Sequence, residues 1–490
     1  MTSNKSTPVS TQHDITADHL EADTSVLAAG SQPSISIAEE ARLRPLLYLF
    51  CFIDRANIGN AKIAHLDTDL HLRGYDYNAI LSVFFISYIL FEIPSNLVCK
   101  ITGPKIWLPI LTLGFGVCTI TMAFVTTRDQ IMGVRFLLGV FEAGMLPGVA
   151  YYLSRWYRRH ELSFRLALYI VASPLAGATG GLLASAIFTI DRIGTVTSWR
   201  MLFLVEGIIT CGLALIGFFT ITDNPESASW LSPAEKALAR ERVLSERIGS
   251  SDVLEKLHLK KVWRGMMNPV VLLTGFIFSL DNVTVAGLAF FLPTIVSTIY
   301  PQATVIEKQL YTVPPYIAGA IFTVLIPYLS TRFNTRVPIM ISSAPFMMFG
   351  YILFLASTNP QVRYAATFFV TSSAFAFGAL CPAHAAANVD SDSARASAIG
   401  LVVMLGSCGA LISTWSFLPW DAPNYFIGNG LNLATTTAIF ISGVCMLLWM
   451  RSDNRRRDRV EAEEMMKLSD EEKLSLECLE WRHPQWRWRI

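Results

Sequence analysis

Apolar residues fill long runs along this chain, and short polar turns separate them. The runs show no period-2 alternation, and most approach the roughly 20 residues that a helix needs to cross a bilayer. They stand at 44–65, 78–98, 106–126, 131–153, 163–190 and 201–221, then at 269–297, 311–331, 336–357, 363–388, 395–417 and 428–450. Lipid cannot hydrogen-bond an exposed backbone, so only helices and closed barrels span it, and a barrel needs short alternating strands. The pattern predicts an all-α membrane protein with twelve transmembrane helices in two pseudo-symmetric six-helix bundles. Composition agrees, with 52% hydrophobic and 16% charged residues among 490, where soluble domains carry about 25% charged residues.

The polar stretches divide the chain. Residues 1–41 are rich in Ser, Thr and Asp, hold no apolar h-region, and read as a disordered cytosolic tail. Bundles at 42–221 and 266–450 flank a charged, helix-prone loop at 222–265, in which Ser232-Pro233-Ala234-Glu235 resembles a helix start. Residues 451–490 form a second cytosolic tail, whose Arg455-Arg456-Arg457 and Trp486-Arg487-Trp488-Arg489 suit either the headgroup region or water. Lys100, Lys105, Arg155, Arg158, Arg159, Arg165, Arg332, Arg336 and Arg395 fall in turns on one side, which the bias of basic residues assigns to the cytosol. Both termini are expected there, in a plasma-membrane protein. Each half carries a short basic turn after its second helix, and Ile53-Asp54-Arg55 aligns with Leu280-Asp281-Asn282. Such weak internal repetition is expected of alternating-access transporters.

Charges inside the apolar runs carry the functional reading. From Pro45 to Asp54 a helix climbs about 13 Å at roughly 1.5 Å per residue, and half the hydrocarbon core is about 15 Å. Asp54 and Arg55 are therefore placed near the midplane, where an ionised group costs at least about 2.5 kcal/mol and marks a substrate or ion pathway. A guanidinium can grip a carboxylate in two parallel hydrogen bonds, so Arg55 is either an anion site or half of a structural pair with Glu142 or Asp281. Asp54, turned about 100° away, would meet the second half, lock the inner gate or take part in proton coupling. Glu142, on one helix with Arg135, also falls at mid-depth and is either the proton-coupling carboxylate or half of a static Arg–Glu brace between helices. Glu142 and Arg135 stand two turns, roughly 10 Å, apart on one helix face. Arg135 is favoured as a brace. Asp281 is open between solute contact and brace, and Asn57 between solute contact and packing. Glu92, expected at the interface, and His384, near an inner helix end, are gating or structural candidates.

Other chemistry is poorly represented. The eight cysteines are scattered, no spacing suggests a metal site, and no phosphate loop or nucleophile motif occurs. No cofactor is expected, and the absence of a clustered nucleophile or base argues against an enzyme. A net charge of +1 offers no basic excess for nucleic acid.

Several stretches together carry a family resemblance. They are Phe52-Ile53-Asp54-Arg55-Ala56-Asn57-Ile58-Gly59-Asn60, Glu92-Ile93-Pro94-Ser95-Asn96, Arg135 to Gly148, Trp199-Arg200-Met201-Leu202-Phe203 through Glu206-Gly207, Phe291-Leu292-Pro293-Thr294-Ile295, and Asp421-Ala422-Pro423-Asn424-Tyr425. The chain resembles the major facilitator superfamily, and within it the fungal allantoate-permease branch of the anion:cation symporters, over about 42–450. The resemblance implies proton-coupled uptake of a small organic anion such as nicotinate, pantothenate, biotin or allantoate by a monomer, with anion binding at Arg55 and coupling at Glu142. Three features depart from the family pattern. The apolar lead before Asp54 is about one turn short. Helix ten ends His384-Ala385-Ala386-Ala387-Asn388 where Trp-x-x-Asn-Asn is usual, followed by Ser391-Asp392-Ser393-Ala394-Arg395 in place of a Gly and Lys-Arg turn. Ala286 replaces an aromatic. These changes imply a pocket altered for another solute. Proton-driven efflux of a metabolite and a non-transporting nutrient sensor are the alternatives.

Overall fold

The structure, a computed structural model, describes residues 40–156, 169–190, 192–193, 196–223, 232–233, 236, 259–389, 392–464, 481 and 486–490. The expected N-terminal tail up to residue 39, most of the 222–265 loop, and Arg158, Arg159 and Arg165 lie outside the described residues. The first six helices are α1 (Glu40–Ile63), α2 (Asp76–Thr102), α3 (Pro104–Met122), α4 (Arg128–Glu142, resuming as Met145–Trp156), α5 (Ala172–Ile187) and α6 (Trp199–Thr220). The second six are α7 (Pro269–Ile299), α8 (Val305–Arg332), α9 (Val337–Ala356), α10 (Pro360–Ala374, resuming as Phe377–Ala387), α11 (Asp392–Ser413) and α12 (Phe426–Glu464). Nine of the described helices are long and apolar enough to cross a membrane. The others are α1, interrupted by Asp54 and Arg55, and the shorter α5 and α11.

Local chemistry sets the boundaries. Asn268 and Asn359 cap the helices that Pro269 and Pro360 open, their side chains accepting from the first free amides. Proline at the first helical position has no amide to satisfy and a preset φ. Thr304 and Glu307 form a reciprocal capping box, which starts α8 at Val305, earlier than the apolar run at 311. α1 likewise starts at Glu40, and this polar first turn supplies the length missing from its apolar lead. α12 continues to Glu464, well past the apolar boundary at 450, because its Arg- and Glu-rich end is made of good helix formers. A two-residue hairpin, Arg192–Ile193 against Val196–Thr197, links α5 to α6.

Lipid-facing and core-facing stripes are separate. On α6, Ile208, Leu215 and Phe219 are exposed, while Phe203, Glu206, Gly207, Thr210, Ala214 and Gly217 are buried at helical spacing. In the first half α3 packs on α6 and α2 on α4; in the second, α9 packs on α12 and α8 on α10. The halves meet through α2 against α11 and α5 against α8. For α3–α6 and α2–α4, adding six to each helix number gives α9–α12 and α8–α10, the pseudo-symmetry expected from the aligned helices.

We call the side where α12 leaves the bundle the near face and the opposite side the far face. Hydrogen bonds joining the halves cluster toward the far face. Asn78 Nδ2 donates to Thr414 O at 2.6 Å, the Ser82 and Thr414 hydroxyls stand 2.8 Å apart, and Trp415 Nε1 donates to Ser82 Oγ at 2.9 Å. Tyr77 donates to Phe290 O at 3.3 Å and Gln309 to Asn60 O at 3.3 Å. Gly59 permits this approach, since a Cβ there would lie 2.7 Å from Phe290 O. Lys62 covers the Tyr77 ring at 4.0 Å.

Candidate functional site

Beneath that closure lies a cavity lined by α1, α2, α4 and α5 of the first half and α7, α8, α10 and α11 of the second. α3, α6, α9 and α12 stay outside it and support the others. The lining is mostly aromatic and small apolar residues. Its charged members are Arg55 on α1 and Asp281 on α7.

Arg55 is fixed from three directions. Its Nε donates to Glu142 Oε1, which also accepts from Cys51 Sγ at 2.9 Å. Its guanidinium lies over the rings of Tyr88 at 4.8 Å, Phe52 at 5.1 Å and Phe84 at 5.5 Å. Aromatic faces attract a cation most where water is scarce, so the cage holds the charge at the cavity wall. Glu142 reaches it because α2 and α4 approach closely at Gly139, where a Cβ would sit 2.4 Å from Phe84 O. The second oxygen of Glu142 has no hydrogen-bond partner among the described residues. The Arg55–Glu142 pair is thus one of the two arrangements expected for Arg55. It is also an Arg–Glu brace between helices, joining α1 to α4, the alternative weighed for Glu142; Arg135 makes no ion pair with Glu142. Two turns of helix separate those residues, and α1 inserts Arg55 at the carboxylate instead.

Asp54 differs from both gating expectations. One residue before Arg55, it is rotated into the first bundle, near Thr119 on α3, Arg135 and Glu142 on α4 and Glu206 on α6. It meets neither the second half nor a gate. Among the described residues, neither oxygen of Glu206 nor the Nε and Nη2 of Arg135 has a hydrogen-bond partner, and the buried Asp54 carboxyl has the Thr119 hydroxyl beside it. Arg135 is within electrostatic reach of Tyr77, Glu142 and Asp54. The first bundle therefore encloses Asp54, Glu142 and Glu206 with Arg55 and Arg135. Glu206 was not singled out from the sequence. Its signal is a lone carboxylate seven residues into the apolar α6.

The remaining candidates scatter. Asp281 is fully buried at the cavity wall, its two oxygens unpartnered among the described residues. Asn57 is not part of the lining. It accepts from Asn60 Nδ2 at 3.4 Å and faces α5 near Gly180, so it packs. Glu92, expected at the interface, is instead 2% exposed and within electrostatic reach of Arg55 and of Cys408 on α11. Pro94 and the small Ser95 beside it let α2 turn that side chain inward against α11 and α4. His384 is buried beside Asn388, 3.4 Å from its amide, and outside the lining.

Residues 46–414 match the profile described as the Major Facilitator Superfamily. The chain belongs to the major facilitator superfamily. Among curated members it is 31% identical to the MFS-type transporter efuF of Hormonema carpetanum over 453 residues, covering 90% of each chain. It is 30% identical to the high-affinity nicotinic acid transporter of Saccharomyces cerevisiae over 417 residues, covering 85% of this chain and 77% of that one. Among solved structures, an inward-facing bacterial homolog of the human lysosomal transporter Spinster aligns with a TM-score of 0.63 at 15% identity, covering 86% of this chain and 97% of that one. The proton:xylose symporter XylE aligns at 0.62 and 16% identity, covering 84% and 94%. These superfamily members share the all-helical membrane fold, and the chain is a transporter by family.

Proposed function

We propose that the protein is a proton-coupled importer of a small organic anion, working as a monomer by alternating access of its two halves. The observation that carries this reading is the Arg55–Glu142 pair at the cavity wall. One guanidinium cannot serve two carboxylates equally, so a solute carboxylate and Glu142 compete for it. A proton on Glu142 releases Arg55 to the solute. Loss of that proton restores the pair and expels the solute. One proton then moves with one anion, with Asp54 and Glu206 as the neighbouring groups through which charge in the bundle is balanced. The kinship with a nicotinic acid transporter is consistent with an anionic solute.

Lys100, Lys105, Arg332 and Arg336 lie in the near-face turns, and the bias of basic residues toward the cytosol supports placing that face and both termini inside the plasma membrane. In that topology the far-face closure shuts the cavity from outside.

The test is uptake of radiolabelled nicotinate by the full chain in liposomes under an imposed inward proton gradient. Arg55→Ala is expected to reduce uptake at least tenfold. Glu142→Gln is expected to abolish gradient-driven accumulation while keeping exchange of internal for external nicotinate. Accumulation that survives Glu142→Gln unchanged would assign the proton to another group, and uptake that survives Arg55→Ala would remove the anion site from α1.

A further inference from the structure

We infer that the solute carries a protonated nitrogen as well as a carboxylate, on an apolar body. This rests on the reading of Arg55 as the carboxylate site and adds its counterpart across the cavity. Arg55 projects from the first half and Asp281 from the second. Asp281 is fully buried, and neither of its oxygens has a hydrogen-bond partner among the described residues. Two polar groups beside it on α7 are committed elsewhere, and the buried Tyr351 and Cys381 are within its electrostatic reach. Asn282 donates to Phe278 O at 2.9 Å, and Thr284 donates to Asn432, whose own amide donates to Gly428 O. Among the described residues, no Lys, Arg or His of the second half lines the cavity.

A carboxylate left bare at this depth is unfavourable, and a cationic group on the solute is the partner this geometry leaves room for. The carboxylate and the nitrogen are then held from different halves, by Arg55 on α1 and Asp281 on α7. Phe52, Phe85, Phe278, Phe290 and Phe375 also line the cavity, a surface suited to an apolar or aromatic body and not to a sugar or a polyhydroxy acid. A solute anchored to both halves also draws them together, the differential contact that closure around a bound substrate requires. A simple monocarboxylate holds one half only.

The experiment measures equilibrium binding to the detergent-purified full chain, by calorimetry, of benzoate, benzylamine and 4-(aminomethyl)benzoate. The zwitterion is expected to bind at least tenfold more tightly than either parent. Asp281→Asn is expected to bring the ratio of zwitterion to benzoate affinity close to one, and Asp281→Glu to retain the preference. Monodisperse elution of both variants shows that they fold. Equal binding of benzoate and the zwitterion by the wild-type chain overturns the inference, as does a preference that persists in Asp281→Asn. If benzoate binding is intact and lost in Arg55→Ala in those cases, the anion site stands and only the second anchor fails. Benzoate binding indifferent to Arg55→Ala removes the anion site itself, and failure of all three probes to bind rejects both.

Discussion

Asp54 and Arg55 are adjacent in sequence and separated in chemistry. The 100° step between successive helical positions turns Arg55 to the cavity and its aromatic cage, and Asp54 to the interior of the first bundle. A substitution at either therefore tests a different compartment. The closeness that brings Glu142 to Arg55 depends on an absent side chain. At Gly139 a Cβ would stand 2.1 Å from Ser87 Oγ and 2.4 Å from Phe84 O. The hydroxyl can rotate away, but the carbonyl belongs to α2 and cannot. Gly139→Val is expected to push α4 from α2, lowering stability by about 1–3 kcal/mol, the usual range for overpacking, and to strengthen anion binding, since a displaced Glu142 no longer competes for Arg55. Thermal unfolding of the purified protein, read beside benzoate affinity, checks both. An unchanged midpoint with unchanged affinity would mean that the α2–α4 spacing is not what sets the pair.

At the scale of elements, the far-face closure rests on a small set of hydrogen bonds between α2 and α11. Asn78 reaches the backbone of Thr414, and Ser82 is shared between Thr414 and Trp415. Removing both side chains, Asn78→Ala with Ser82→Ala, leaves the packing of Tyr77 and Phe291 and the Tyr77 and Gln309 hydrogen bonds, but no polar latch between α2 and α11. The double variant is expected to open more often to the far side. The readout is reaction of a cysteine introduced at Phe290 with a membrane-impermeant maleimide, expected to be several-fold faster than in the same cysteine chain with the latch intact. Equal rates would place the closure in those remaining contacts. None of these partners was visible in the chain order. The twelve helices were legible because lipid imposes one demand, a long apolar run, that each segment answers by itself. The α4 break after Glu142, the polar extensions of α1 and α12, and the early start of α8 were not, since caps and tertiary support decide them. The site was legible only as a set of costly charges. Depth marked Arg55, Glu142 and Asp281, but which face each presents is a property of neighbouring helices. Asn57 therefore moved from the solute to packing, and Glu206 appeared only when α6 was seen against α1.

At the scale of the whole molecule, the two halves are alike in helix packing but differ at their near-face ends. The second half is clasped by residues 486–490. Trp488 is 3% exposed, its indole donates to Asp453 Oδ2 at 2.7 Å, and its backbone exchanges hydrogen bonds with the Asn454 side chain. Arg457 pairs with Asp453 and lies 5.3 Å from the Trp488 ring. Arg489 exchanges hydrogen bonds with the Asn388 side chain at the end of α10, and Arg336 N donates to Ile490 O in the α8–α9 turn. This segment packs on the protein. It ties α8, α10 and α12 into one body, and its described contacts are with the second half. A clasp confined to one half stiffens that half without holding it to the other, so it belongs to stability and not to the rocking motion. Trp488→Ala removes a buried indole, a change that typically costs about 3–5 kcal/mol. It is expected to lower the apparent melting temperature of the purified chain by several degrees. Trp486→Ala, at a half-buried position, is expected to lower it less. Transport per folded molecule, measured in liposomes at a temperature where the variant remains folded, is expected to match the wild type. A Trp488→Ala protein that melts normally but transports slowly would reverse this assignment and make the segment part of the moving interface.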